Sequence, residues 1–125
     1  MDFTIVTNNT IVNDNYENII FVEGDFFDVL LEVRNYIHLG HELISYPLGA
    51  SIRMMYSPIR SILISKELKD IDENSIEVIE NSIEKYKLTM GERNVDERNR
   101  RDYEVIDYEL IKSAICENDF ISEIL

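Results

Sequence analysis

The chain has one cysteine, no tryptophan, two prolines and four glycines in 125 residues. A lone Cys116 excludes an intramolecular disulfide and fits a reducing interior. Scarce Gly and Pro, beside 45% apolar and 30% charged residues, argue against a disordered or fibrous chain. Basic residues are few as well, with 12 Lys and Arg against 25 Asp and Glu, for a net charge of −13. That balance disfavours nucleic acid or an anionic membrane as the main partner, because phosphate surfaces are bound through basic side chains. No apolar run reaches the ~18 residues of a membrane-spanning helix. Met1-Asp2-Phe3-Thr4 has neither the basic start nor the apolar run of a secretion signal, so a soluble, cytoplasmic protein is expected. Complete catalytic signatures are missing too: there is no P-loop, no Gly-x-Gly-x-x-Gly and no Gly-x-Ser-x-Gly.

What is present suffices for one core. A chain of this length is expected to form a single domain over residues 1–125. Phe3–Val6 and Ile19–Val22 read as strands, the second apolar throughout, as when both sheet faces are covered. Residues 10–18 supply a short helical crossover between them. Asp25 is a good N-cap, and Phe26, Leu30, Val33 and Ile37 recur at helical spacing before Gly40. His41–Tyr46 reads as a third strand stopped by Pro47, and Arg60–Ser65 as a fourth. Asn74 with Glu77 signals the start of a second long helix carrying Ile76, Ile79, Ile83 and Tyr86. A third runs from about Asp96 to about Cys116, with Tyr103, Ile106, Leu110 and Ala114 on one face and Cys116 as a buried small hydrophobe. The expected architecture is an α/β sandwich: a four-stranded, mainly parallel sheet flanked by helices, with a long C-terminal helix.

Charge is unevenly spread. Between Arg34 and Lys66 four basic residues (Arg34, Arg53, Arg60, Lys66) face one acid, Glu42, so the stretch is +3 inside a chain of −13. A basic island in an acidic protein is where an anion would bind. Arg53 and Arg60 follow the small-residue loop Leu48-Gly49-Ala50-Ser51, and Arg suits bidentate recognition of carboxylate or phosphate, unless the two pair with the chain's own abundant carboxylates. Ser51, Ser61 and the backbone amides of residues 48–51 add donors. Ligands in open parallel sheets lie beyond the carboxyl ends of the strands, which puts Asn8 and Asn9 on the same rim, unless they cap the turn that follows. His41, at the head of a strand, is the candidate for ligand contact or proton transfer, whereas His38 suits a helix C-terminus. The two histidines flank Gly40 and do not form a metal-ligand pair, so neither metal nor cofactor is expected.

The stretch Ile37 to Ile64 resembles the GrdX family, small proteins encoded with the glycine reductase genes of amino-acid-fermenting anaerobes. The matching residues are Ile37-His38-Leu39-Gly40-His41, Pro47-Leu48, Ser51, Arg53 and Arg60 in place of two lysines, Pro58 and Ser61. Thr7-Asn8-Asn9 is similar as well. Tyr46, Ala50 and Met54 depart from the family's His, Gly and Pro. The resemblance implies a link to glycine, sarcosine or betaine reductase metabolism and supplies no mechanism.

Three functions follow as expectations. The favoured one is an accessory protein binding a small carboxylate or phosphate through Asn8, Asn9, His41, Ser51, Arg53, Arg60 and Ser61. The second is a small enzyme with His41 as acid or base. The third is an assembly factor whose partner is a reductase component or a second copy of the chain.

Overall fold

The computed structural model describes residues 2–49 and 51–124, with side chains as far as 118. It is a mixed α/β fold. Its regular elements are β1 (Phe3–Thr7), α1 (Thr10–Asn15), β2 (Ile19–Phe21), α2 (Phe26–Leu39), β3 (Ser61–Ser65), α3 (Glu73–Met90) and α4 (Arg100–Ile124). Short 3₁₀ turns occupy Ile52–Tyr56 and Glu97–Asn99.

The sheet has three strands among the described residues, in the order β2-β1-β3, rather than the expected four. It is also not mainly parallel. α1 is the crossover that makes β1 and β2 parallel, whereas β3 pairs with β1 antiparallel, from Phe3↔Ser65 to Thr7↔Ser61. The cause lies in the connections. A parallel neighbour needs a crossover that carries the chain back along the sheet, usually on a helix. Among the described residues of 47–60 the regular structure is a 3₁₀ turn, so the chain that rises through 41–46 returns down β3 from the same end. His41–Tyr46 itself makes one bridge, Leu43↔Ile64, instead of a strand. Its Ile44 and Ser45 N–H groups both donate to the Leu63 carbonyl, and the Ser45 hydroxyl accepts the Leu63 N–H.

Strand alternation divides the core between two faces. Val6, Ile62 and Ile64 pack against α2 and α3 together with Phe26, Leu30, Val33, Ile37, Ile79, Ile83 and Tyr86. Ile5 and Leu63 pack with Val12 of α1 and with Ile111 and Ile115 of α4. α2 matches its sequence pattern closely. Asp25 and Asp28 form a capping box, and all four periodic apolar residues are buried. The helix stops at Gly40, which adopts φ 121° and lies so near the next connection that a Cβ would meet the Lys69 carbonyl oxygen at 2.2 Å.

Two helix expectations change. α3 is capped two residues earlier than its Asn74 signal, by Asp72, whose carboxylate accepts both the N–H and the hydroxyl of Ser75. α4 buries a different stripe. Glu104, Asp107, Ile111 and Ile115 face inward, while Ile106 and Leu110 stay 43% and 45% exposed. Cys116 is exposed as well, not buried. The inward stripe has helical spacing but opens with two carboxylates, so apolar periodicity alone selects the neighbouring face. No helix among the described residues is long and apolar enough to cross a membrane.

Candidate functional site

The C-terminal ends of β1 and β2 and the start of β3 lie together, because Thr7 pairs with both Phe21 and Ser61. The chain after β1 therefore lands beside Arg60 and Ser61. Asn8 is fully engaged there. Its amide donates to the carbonyls of Gly24 and Pro58, and its oxygen accepts the Arg60 N–H. Asn9 caps α1 by accepting from Ile11, and donates to the Glu104 carbonyl and to Asp107. The pair thus joins three segments rather than projecting toward solvent, and both residues are buried.

Asp107 is the centre of this arrangement. Its Oδ1 accepts the Ser61 N–H at 2.9 Å; its Oδ2 accepts the Ser61 hydroxyl at 2.6 Å and the Asn9 amide at 2.9 Å. Because Ser61 donates to the carboxylate, the 2.6 Å contact between Thr7 Oγ1 and Ser61 Oγ has Thr7 as donor. Thr7 in turn accepts the Asn9 N–H. The run Asn9, Thr7, Ser61, Asp107 is therefore a directed chain of hydrogen bonds ending on one oxygen, the kind in which neighbouring bonds reinforce each other. Burial pushes the Asp107 carboxyl up from its ordinary value, against the donors from Asn9 and Ser61 and the positive charge of Arg60. Next to it, the Thr10 hydroxyl donates to Glu104 Oε2 at 2.6 Å.

Arg60 is half-buried and holds the loop that precedes it. Nε donates to the Pro47 carbonyl at 2.9 Å and Nη2 to that of Tyr46 at 2.8 Å, while the guanidinium lies 5.9 Å from the Phe26 ring centroid. Burial lowers its pKa and the Asp107 charge raises it; a guanidinium remains protonated under such shifts. No carboxylate pairs with Arg60 within 4.0 Å among the described residues.

A cleft of about 390 Å³ opens here between the 45–49 segment and α4. Arg60, Ser61 and Asp107 line one part of its wall, Tyr46, Leu48 and Gly49 the loop side, and Leu110, Ile111, Ala114 and Glu117 the helix side. That volume lies within the range of small-molecule sites.

The sequence-selected residues divide accordingly. Asn8, Asn9, Arg60 and Ser61 are brought together. Ser51 is exposed and caps the 3₁₀ turn by accepting the Arg53 N–H; Arg53 is exposed on that turn, and neither lines the cleft. Of the backbone amides at 48–51, that of Ala50 lies outside the described residues. His41 stands at the far end of β3, where its Nδ1 donates to the Ser65 carbonyl at 2.7 Å and its ring meets Tyr36 edge-on. His38 points instead to Glu80, at 3.1 Å. No group of three or more His, Cys, Asp or Glu side chains is placed to hold a metal among the described residues. Sequence reasoning missed Asp107, Glu104 and Glu117. The available signal was the spacing of Glu104, Asp107, Ile111 and Ile115, which continues an apolar stripe through two acids.

Comparison with known proteins adds one finding. The family model described as "GrdX-like protein" matches residues 4–116. No curated protein and no solved structure matches the chain.

Proposed function

The chain belongs to the GrdX-like protein family, and from that membership together with the cleft we propose an accessory, ligand-binding protein of glycine, sarcosine or betaine reductase metabolism. It holds a small metabolite by an anionic group at Arg60. The observation that carries this reading is the Arg60 guanidinium on the cleft wall, without a carboxylate partner within 4.0 Å. Two of its five N–H groups serve the loop carbonyls, which leaves donors for a carboxylate or phosphate. Arg53 and His41 have no part in it, and no acid–base step is assigned.

Calorimetric titration with phosphate, acetyl phosphate, glycine and betaine tests the reading. At least one is expected to bind, with affinity falling about tenfold in Arg60→Gln, the loss of ~1.4 kcal/mol. Ala114 lines the helix side of the cleft, and Ala114→Trp, checked for folding by far-ultraviolet circular dichroism, is expected to abolish binding by filling it. Arg53→Ala is expected to bind as the parent does. Silence toward all four compounds at millimolar concentration, or undiminished binding by Ala114→Trp, overturns the reading.

A further inference from the structure

The two outer edges of the sheet are finished differently. At β3 the outward N–H groups of Ser61, Leu63 and Ser65 each meet an acceptor from elsewhere in the chain. β2 lacks such caps among the described residues. The Ile5 N–H donates to the Asn18 carbonyl and the Val22 N–H to that of Thr7, and Ile5, Val6 and Thr7 stand beside Ile19, Ile20 and Phe21. Backbone groups alternate in direction along a strand, so Asn18, Ile20 and Val22 turn toward β1, while Ile19 and Phe21 turn away from it. The N–H and carbonyl groups of Ile19 and Phe21 have no hydrogen-bond partner among the described residues, and Phe21 is 41% exposed. Such an edge is a template for one more strand.

Charge decides what can occupy it. The first 33 residues hold seven Asp and Glu and no Lys, Arg or His. Glu17 and Glu23 flank β2, three residues to either side of Ile20, and both are exposed. Two copies of the chain pairing antiparallel about Ile20 would match the outward groups of Ile19 with those of Phe21. They would also set Glu17 of each copy opposite Glu23 of the other. Like charges facing across a strand pair are destabilising, and two chains of net charge −13 repel one another further. A strand with basic residues at its two ends turns the same carboxylates into attraction.

We propose that the open edge of β2 is a docking site for an extended, basic segment of another protein, which adds to the sheet as a fourth strand. Backbone bonds to Ile19 and Phe21 supply the attachment, and the Phe21 ring offers an apolar contact. Glu17 and Glu23 select basic residues placed about six positions apart. β1 lies between this edge and β3, so the docking site and the Arg60 cleft are separate.

Fluorescence anisotropy on the full chain tests it, with the labelled peptide Lys-Thr-Val-Thr-Val-Thr-Lys as the probe. A counterpart with Glu at both ends reverses the charge. Lys-Thr-Pro-Thr-Pro-Thr-Lys keeps the charge but loses two N–H groups and the capacity to pair as a strand. The basic strand peptide is expected to bind about tenfold more tightly than either, and to slow amide hydrogen exchange at Ile19 and Phe21. Phe21→Pro removes an N–H that the fold does not use, a change an edge strand tolerates, and is expected to weaken that peptide about tenfold. Glu17→Lys combined with Glu23→Lys is expected to reverse the preference toward the acidic peptide, and it decides the matter if circular dichroism shows Phe21→Pro unfolded. Equal binding of the proline peptide means attraction by net charge alone and overturns the proposal. Undiminished binding by folded Phe21→Pro, unchanged exchange at Ile19 and Phe21, or no binding at millimolar concentration overturns it as well. A dimer in sedimentation that protects the same two amides without peptide puts a second copy on the edge, and that too overturns it.

Discussion

Replacing Asp107 with Asn tests the polar centre on which the cleft is built. The change is nearly isosteric, so its cost is one of donors and acceptors rather than of volume. The carboxylate accepts three hydrogen bonds: the Ser61 N–H, the Ser61 hydroxyl and the Asn9 amide. An amide has one accepting oxygen. If that oxygen faces the Ser61 N–H, the new NH₂ group opposes the Asn9 amide donor; if it faces Asn9, the NH₂ opposes the Ser61 N–H. Either orientation sets two buried donors against each other, a penalty of ~1–3 kcal/mol. The Asn9 amide keeps its bond to the Glu104 carbonyl, which holds the cost toward the lower half of that range.

The pH dependence gives a second check. Asp107 is raised from its ordinary value of 3.8, first by burial. A carboxyl raised in the folded state contributes stability that is present below its unfolded pKa and is lost as pH rises through its folded pKa. The parent therefore loses this contribution above the ordinary carboxylate range, whereas Asp107→Asn has no such group to titrate. The deficit of the variant is expected to be largest near pH ~4 and to shrink toward neutrality. Urea unfolding followed by far-ultraviolet circular dichroism at a series of pH values measures it. A variant as stable as the parent throughout, or a deficit that widens with rising pH, refutes the reasoning.

Two further outcomes follow from how α4 sits. Ile111→Ala removes a buried side chain and is expected to cost ~2–5 kcal/mol, whereas Leu110→Ser, one position away and 45% exposed, stays within ~0.5 kcal/mol by the same unfolding assay. The exposed Cys116 is expected to react with a thiol reagent in the native protein at the rate of the urea-unfolded chain, to one equivalent; protection by ~100-fold or more would mean that this turn of the helix faces inward.

Much of the fold was readable where local chemistry and tertiary packing agree. α2 has an aspartate cap, four apolar residues at helical spacing and a terminal glycine, and each takes its expected place. Sequence reading failed where a choice is made by groups distant along the chain. Residues 41–46 have the composition of a strand, yet the Ser45 hydroxyl takes the Leu63 N–H that a strand's carbonyl would have taken. Apolar periodicity selects the neighbouring face of α4 because Asp107 counts as polar in any periodicity, and the donors of Asn9 and Ser61 make it an interior residue. The same logic applies to the candidate site. Arg60 stood out through local charge contrast, while its counterparts on α4 lie about fifty residues away and nothing in their own neighbourhood marks them.

The outer edge of β3 has a consequence for biosynthesis. Its outward N–H groups at Ser61, Leu63 and Ser65 go to the Asp107 carboxylate, the Ser45 hydroxyl and the Glu42 carbonyl. Two of these partners precede the strand in the chain, but Asp107 follows it by 46 residues. On a ribosome, β3 emerges and can pair with β1 while the cap for its first residue is still unmade. During that interval the growing chain displays an open strand end next to Arg60, a template on which another nascent chain can pair. Docking of α4 closes it, so one aspartate that shapes the cleft also ends the period in which this edge can recruit a stranger.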